Sequence, residues 1–151
     1  MLFRSKPVEG AVSHMTHAAD GARTTWRKLS RAEMDKLLHA HALFRLARAG
    51  GRRADLSYCD LSGHDLSGRD LSDANLTAAR LRQVRLVGAK LIGANLFASD
   101  LRLVIASGAD FHTADMRGAC LRGADLTEAR LSQADLREGQ DRKSTRLNSS
   151  H

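Results

Sequence analysis

A leucine frame of period five, running from Leu56 to Leu136, excludes most folds for this chain. Seventeen positions make up the frame and fourteen are Leu; Ala106, Phe111 and Met116 are the exceptions. Two residues before each centre stands Ala in eleven of the seventeen repeats, and the residue between them is usually Asp or Asn. On an α-helix a step of five rotates about 140° and scatters the leucines around the axis. On a flat strand an odd step sends successive leucines to opposite faces. The pattern suits only a chain that turns a corner once per repeat.

In such a chain Ala and Leu, two apart, share the inward side of a short extended stretch. The residue between them points outward and the next two make the bend. Ser, Thr and Gly crowd those bends (Ser57, Ser62, Gly63, Ser67, Gly68, Gly88, Gly93, Gly108, Gly118, Gly123), as turn chemistry asks. Bending always in one sense gives a solenoid whose coils lie about 4.8 Å apart.

The runs Ala74-Asn75-Leu76-Thr77-Ala78, Ala94-Asn95-Leu96-Phe97-Ala98 and Ala124-Asp125-Leu126-Thr127-Glu128 resemble the A(D/N)LXX repeat of pentapeptide-repeat proteins. The resemblance covers residues 52–140. It implies an all-β solenoid, a right-handed quadrilateral β-helix with four repeats per coil and about four coils in all. Separate support for a twenty-residue coil comes from bulk in the small-residue slot. His64, Arg69, Val84 and Val104 replace Ala there, and His64, Val84 and Val104 are twenty apart. Val104 belongs to the repeat centred on Ala106, where its bulk fills part of the missing leucine's space; a Leu-to-Ala void costs about 2–5 kcal/mol.

Four segments are expected: a flexible arm over 1–29, a leader helix with its Gly-Gly turn over 30–51, the repeats over 52–140, and a tail over 141–151. Ser30 and Glu33 form a capping box. Met34, Leu37, Leu38, His41 and Phe44 recur at helical spacing, Leu43 and Leu46 widen the stripe, and Gly50-Gly51 is expected to stop it. This segment is similar to the leader helix of many pentapeptide-repeat proteins, and its role would be a lid on the first coil. The tail reads like the letter-by-letter translation of a common short-read sequencing adapter. The chain is therefore expected to be an N-terminal fragment cut near Gln140.

The net charge of +7 suggests nucleic acid until it is partitioned. Residues 52–140 hold twelve basic and twelve acidic side chains, so the excess lies in the flanks. The basic arm (Arg23, Arg27, Lys28, Arg31) lacks interleaved aromatics beyond Trp26 and reads as a solvated linker, so nucleic acid is not an expected partner. Cys59 and Cys120 fall on one side of the coil but about 14 Å apart, one inward and one outward, too far to bridge. Two free thiols suit the cytoplasm, and with no apolar run near membrane-spanning length no membrane insertion is expected.

No catalytic residue, cofactor or metal site is expected. Ser, Asp and His follow the repeat instead of converging, and neither a phosphate-cradling loop nor a nucleophile motif occurs. His14, His17, His39 and His41 lack a Cys or carboxylate set at ligand spacing. His64 and Arg69 occupy inward slots where Ala is the rule; contact with the leader helix or a ligand site would each account for them.

The expected function is a non-enzymatic scaffold for an unidentified protein partner, with self-association at an open C-terminal coil as a further mode. The candidate patch is Val87, Ile92, Phe97, Leu103 and Ile105, apolar residues where small polar ones are usual. Cover by the N-terminal arm is the alternative reading of these five. Outward columns of alternating charge (Asp70, Lys90, Asp110, Arg130; Asp60, Arg80, Asp100; Asp65, Arg85) are expected to form surface ion pairs. A family subgroup that mimics duplex DNA and acts on gyrase is the alternative function. It requires an acidic rod, whereas Arg82, Arg85, Arg117, Arg122 and Arg137 point outward here.

Overall fold

The computed structural model describes residues 25–139. Strand β1 (Arg27–Lys28) precedes helix α1 (Arg31–Arg45), and strand β2 (Cys59–Asp60) begins the repeats. From Asp55 to Asp115 every fifth residue bridges, in parallel, the residue twenty further on. A corner every five residues leaves a single residue per repeat placed to pair, which is why the sheet consists of isolated bridges and not of long strands. Four such ladders run through each twenty-residue layer, named here by their first centres as the Leu56, Leu61, Leu66 and Leu71 ladders.

Up to three backbone hydrogen bonds per repeat tie one layer to the next. The centre donates to a carbonyl nineteen residues on, as Leu76 does to Asn95 at 2.7 Å. The corner residue does the same, Ala78 to Phe97 at 2.8 Å, and the bridge residue donates back, Asn95 to Ala74 at 3.0 Å. Stacking in this register puts every frame residue inward. Leu56, Leu61, Leu71, Leu76 and the centres as far as Phe111 are at most 2% exposed, together with the Ala slots, Val84 and Val104. Burying each leucine contributes about 1.5–3 kcal/mol. The layer carrying Ala106 also carries the buried Phe111, and the buried Met116 opens the next, so larger centres accompany the smallest one. Burial falls toward the C-terminal end of the described residues, where Leu121, Leu126 and Leu131 are partly buried and Leu136 is exposed.

Every corner residue from Tyr58 to Gln133 has a positive φ. Seven of these sixteen corners are glycine, the residue that adopts this conformation at least cost. At the other nine, stacking imposes the left-handed conformation on a residue that bears a side chain.

Helix α1 starts as its sequence predicts. Ser30 accepts from the Glu33 amide, and the Glu33 side chain accepts from the Ser30 amide in return. Its end differs from the expectation. The helix stops at Arg45, and Ala47 takes the left-handed position that closes it, with φ 56°, while Gly50, at φ 84°, comes after the helix has ended. Arg48 donates to Leu43 and Ala47 to Phe44, the paired bonds of a Schellman motif. Gly51 serves closeness instead: a Cβ there would lie 2.5 Å from the Phe44 amide nitrogen.

The residues just before α1 pack on the repeats. Arg27 and Lys28 pair in parallel with Cys59 and Asp60, adding a rung beneath the Leu61 ladder. Trp26 donates its indole N–H to the Ala78 carbonyl at 2.6 Å, and Leu29 is buried. Unpaired backbone groups on the first layer are the physical reason, since β1 satisfies them. The tail reading falls on residues 141–151, outside the described residues.

His41 joins α1 to the repeats. It is fully buried, accepts the Ala54 amide N–H on Nδ1 at 3.0 Å, and lies 2.9 Å through Nε2 from the Ser72 carbonyl. Those partners fix the neutral tautomer with the proton on Nε2. Burial lowers its pKa below the ordinary 6.5, against the raising effect of the Ser72 hydrogen bond. Protonating Nδ1 would also turn it toward an N–H as a second donor.

The unfolded chain therefore binds the proton first. The contribution of His41 is full above about pH 6.5 and is lost as pH falls from there toward the lower folded value. His41→Leu is expected to cost about 2–4 kcal/mol by orphaning two buried backbone groups. Thermal melts followed by circular dichroism should show wild-type stability declining as pH falls through the histidine range, with a smaller decline in the variant.

Candidate interaction surface

Outward positions carry the surface chemistry, and the layer geometry sets what they do. All eleven Asp and Asn bridge residues of the frame accept, through Oδ1, the amide two residues on. These are Asx turns, and they explain why the position favours acids and amides. Where Arg85 replaces the acid, the Val87 amide donates to the Ser67 hydroxyl of the layer before, at 3.1 Å. At Asp100, Asp115 and Asp135, a hydrogen bond from the Arg two residues on is the largest influence, and it lowers each carboxyl pKa, that of Asp135 to about 2.

The five apolar candidates do not form one surface. Val87 and Ile105 lie on the Leu66 ladder, with Ile105 bridged to Arg85, and Leu103 stands at the corner leading into it. Ile92 belongs to the Leu71 ladder and Phe97 to the Leu56 ladder. Phe97 faces the Arg117 guanidinium at 5.4 Å and lies against Gly139. Val87, Ile92, Phe97 and Ile105 are half-buried, whereas Leu103 is 43% exposed. Leu103 also holds φ at 58° and lies over Gly123, where an added Cβ would come within 2.7 Å of its Cδ2. A bulky residue in the left-handed region costs about 1–2 kcal/mol, so this leucine is both exposed and conformationally costly.

The charged columns stack as expected but pair only in part. Arg130 meets Asp110 at 3.4 Å and Arg85 meets Asp65 at 3.8 Å. Asp70 instead takes Arg45 of α1 at 3.5 Å, and Arg45 also holds Asp73 at 2.7 Å. The Arg80 guanidinium stacks on the Trp26 ring at 3.8 Å. Of the large polar residues in Ala slots, His64 reaches the Leu29 carbonyl at 3.2 Å through Nε2 and Arg69 reaches Asp35 of α1 at 3.8 Å. Contact with the N-terminal elements accounts for both.

Sequence reading missed the Trp26–Arg80 stack, because nothing local in the sequence announces that the arm folds back. It also passed over Arg82, Arg102 and Arg122 as a group, although their spacing of twenty was there to be read. Cys59 is buried and Cys120 exposed, and both are free. No helix among the described residues is long and apolar enough to cross a membrane.

The family model described as pentapeptide repeats matches in eight copies, over residues 52–86, 70–105 and 94–133. A pentapeptide repeat protein from the cyanobacterium Cyanothece 51142 is a similar solved structure. It is 34% identical over 57% of this chain and 62% of that one, with a TM-score of 0.48. A pentapeptide repeat protein from the Arabidopsis thaliana thylakoid lumen is 41% identical over 50% of this chain and 52% of that one, with a TM-score of 0.49. QnrB1, a plasmid-mediated fluoroquinolone resistance protein, is 20% identical over 64% of each chain, with a TM-score of 0.34. The chain thus spans less than two thirds of the length of each of these structures. No curated protein matches it.

Leu103→Gly tests whether the fold needs this leucine. Relief of the left-handed strain offsets the lost apolar contact and the greater freedom of the unfolded chain, so stability should change by less than about 1 kcal/mol. A chemical-denaturation midpoint far below wild type would instead make Leu103 a structural residue.

Proposed function

Because the chain belongs to the pentapeptide-repeat family, we propose that it is a non-enzymatic scaffold that holds fixed side chains toward a protein partner. In this reading the layers form a right-handed quadrilateral β-helix of about four coils, capped at the N-terminal end by α1. The partner meets the Leu66 ladder and its leading corner, with Leu103 and Ile105 as apolar anchors and Val87 beside them. Two free thiols favour a reducing compartment such as the cytoplasm.

Leu103 carries the reading. Its corner column holds Gly63, Gln83 and Gly123 at the equivalent positions, so Leu103 alone of the four places a large apolar side chain there. An exposed leucine in that conformation is retained at a cost to stability, which a binding role explains. Rigidity supports the same conclusion, because backbone bonds fix each corner on both sides and little side-chain order is left to lose on binding. Mimicry of duplex DNA lacks support in the charge: Arg82, Arg117, Arg122 and Arg137 all stand on outward positions.

The test is Leu103→Asp combined with Ile105→Asp. Both sites project outward, so circular dichroism and melting temperature should stay close to wild type. Affinity capture from the native cell extract, quantified by mass spectrometry, should then lose the partner that wild type retains. Equal retention by a folded double variant would remove this surface from the account. Strong inhibition of gyrase supercoiling by the purified chain would favour the topoisomerase reading instead.

A further inference from the structure

We infer that the outer face of the Leu61 ladder is a docking groove for an acidic segment of the partner protein. This deepens the scaffold reading and rests on it. Arg82, Arg102 and Arg122 occupy equivalent positions in three successive layers. Gln83 donates to the Arg102 carbonyl at 3.1 Å and Leu103 to the Arg122 carbonyl at 3.0 Å, which sets the three in one column. Strand spacing puts their backbones about 4.8 Å apart. Beside this column Arg80 lies flat on the Trp26 ring, and the backbone of Trp26 and β1 borders the same face. The resulting groove is about 490 Å³, with Ala78 and Ala98 among its lining residues. That is room for several side chains, not one ion.

Arg82 and Arg102 line this groove and Arg122 continues their column beyond it, and the charge along the column is unbalanced. Arg102 is held by Asp100 in a two-pronged pair, Nε to Oδ1 at 2.8 Å and Nη2 to Oδ2 at 2.7 Å. Among the described residues Arg82 and Arg122 have no carboxylate within ion-pair distance. Both are exposed. Stacked like charges repel, and nothing in the packing of the ladder asks for them. On the Leu66 ladder the equivalent column is Ser67, Val87, Ser107 and Thr127, which stacks without any charge. Two free guanidiniums flanking a fixed one are a receptor for carboxylates, which they bind through paired N–H groups.

The occupant is a protein segment and not a nucleic acid. Asp60 and Asp100 stand within the groove and would oppose a continuous phosphate backbone, whereas a peptide can place neutral residues against them. Trp26 is the sole aromatic in the lining, too few for a stacking platform. Continuity with the apolar corner adds a second constraint. Leu103 follows Arg102 directly in the chain, so the segment that fits carries acidic residues next to an apolar anchor.

Fluorescence anisotropy tests this with a short labelled peptide of alternating Glu and Ser. The comparison probes are a Lys–Ser peptide and an oligothymidylate of equal length. Wild type should bind the acidic peptide, less tightly as salt rises. Arg82→Glu with Arg122→Glu should weaken it about tenfold or more. Arg48→Glu with Arg52→Glu, the same charge change placed after α1, should leave it within about twofold. Melting curves matching wild type establish that both pairs fold.

Failure of wild type to bind the acidic peptide would overturn the inference, as would equal weakening by the two pairs or tighter binding of oligothymidylate. The scaffold reading fails separately. Peptide binding retained by Leu103→Asp/Ile105→Asp, with partner capture unchanged in that variant, would remove the apolar corner and leave the groove standing. Partner capture lost in that variant, with peptide binding indifferent to Arg82 and Arg122, would do the reverse.

Discussion

Each frame residue donates its amide to a carbonyl nineteen positions on, at 2.7–2.9 Å from Leu56 to Met116. Everything else in the repeats depends on that bond. It sets side chains twenty apart on the same ladder, so a leucine every fifth residue becomes four inward stacks. It also leaves the chain almost no slack at the corners, which is why all sixteen corner residues adopt positive φ whatever their identity. The Asx turns follow as well, since a corner this tight leaves an amide that a short acid or amide side chain two residues earlier can satisfy. Core, corner and surface columns are three consequences of one register.

Rigidity of this kind separates stability from recognition. Inward positions hold Leu, Ala and a few compensating residues, and outward positions carry little of the load. A side chain that is costly or charged without need therefore stands out. Leu103 and the column of Arg82, Arg102 and Arg122 are such features, and they meet at one corner of the molecule. The N-terminal elements serve a different end: β1 and His41 occupy backbone groups of the first layer that would otherwise face water or nothing.

Much of this was legible in the sequence because the determinants are local or periodic. The five-residue frame, the twenty-residue register and the Ser30–Glu33 capping box each depend on residues at fixed short spacing. The end of α1 departs from the expectation, because Gly50 and Gly51 follow a helix that has already closed at Ala47. Gly51 is there to let the chain pass against Phe44, and Ala47 takes the strained position instead. Strand β1 gave no periodic sign, since two residues pairing with Cys59 and Asp60 are specified by the open edge they meet. The register groups Val87, Ile105 and the Leu103 corner, and the same register assigns Ile92 and Phe97 to other ladders. The arginine column is periodic too, but balanced charge over the whole repeat region concealed it.

Direct cross-linking tests the register that underlies all of this. With Cys120→Ser as background, Asn75→Cys and Asn95→Cys face each other across one bridge, at a Cα separation suited to a disulfide, about 4.8 Å. Mild oxidation should join them in the folded protein, with the melting temperature kept or raised, as judged by non-reducing peptide mapping. Asn75→Cys with Arg85→Cys lies on different ladders and should stay reduced. Ready cross-linking of the second pair, or none in the first, would contradict the twenty-residue stacking.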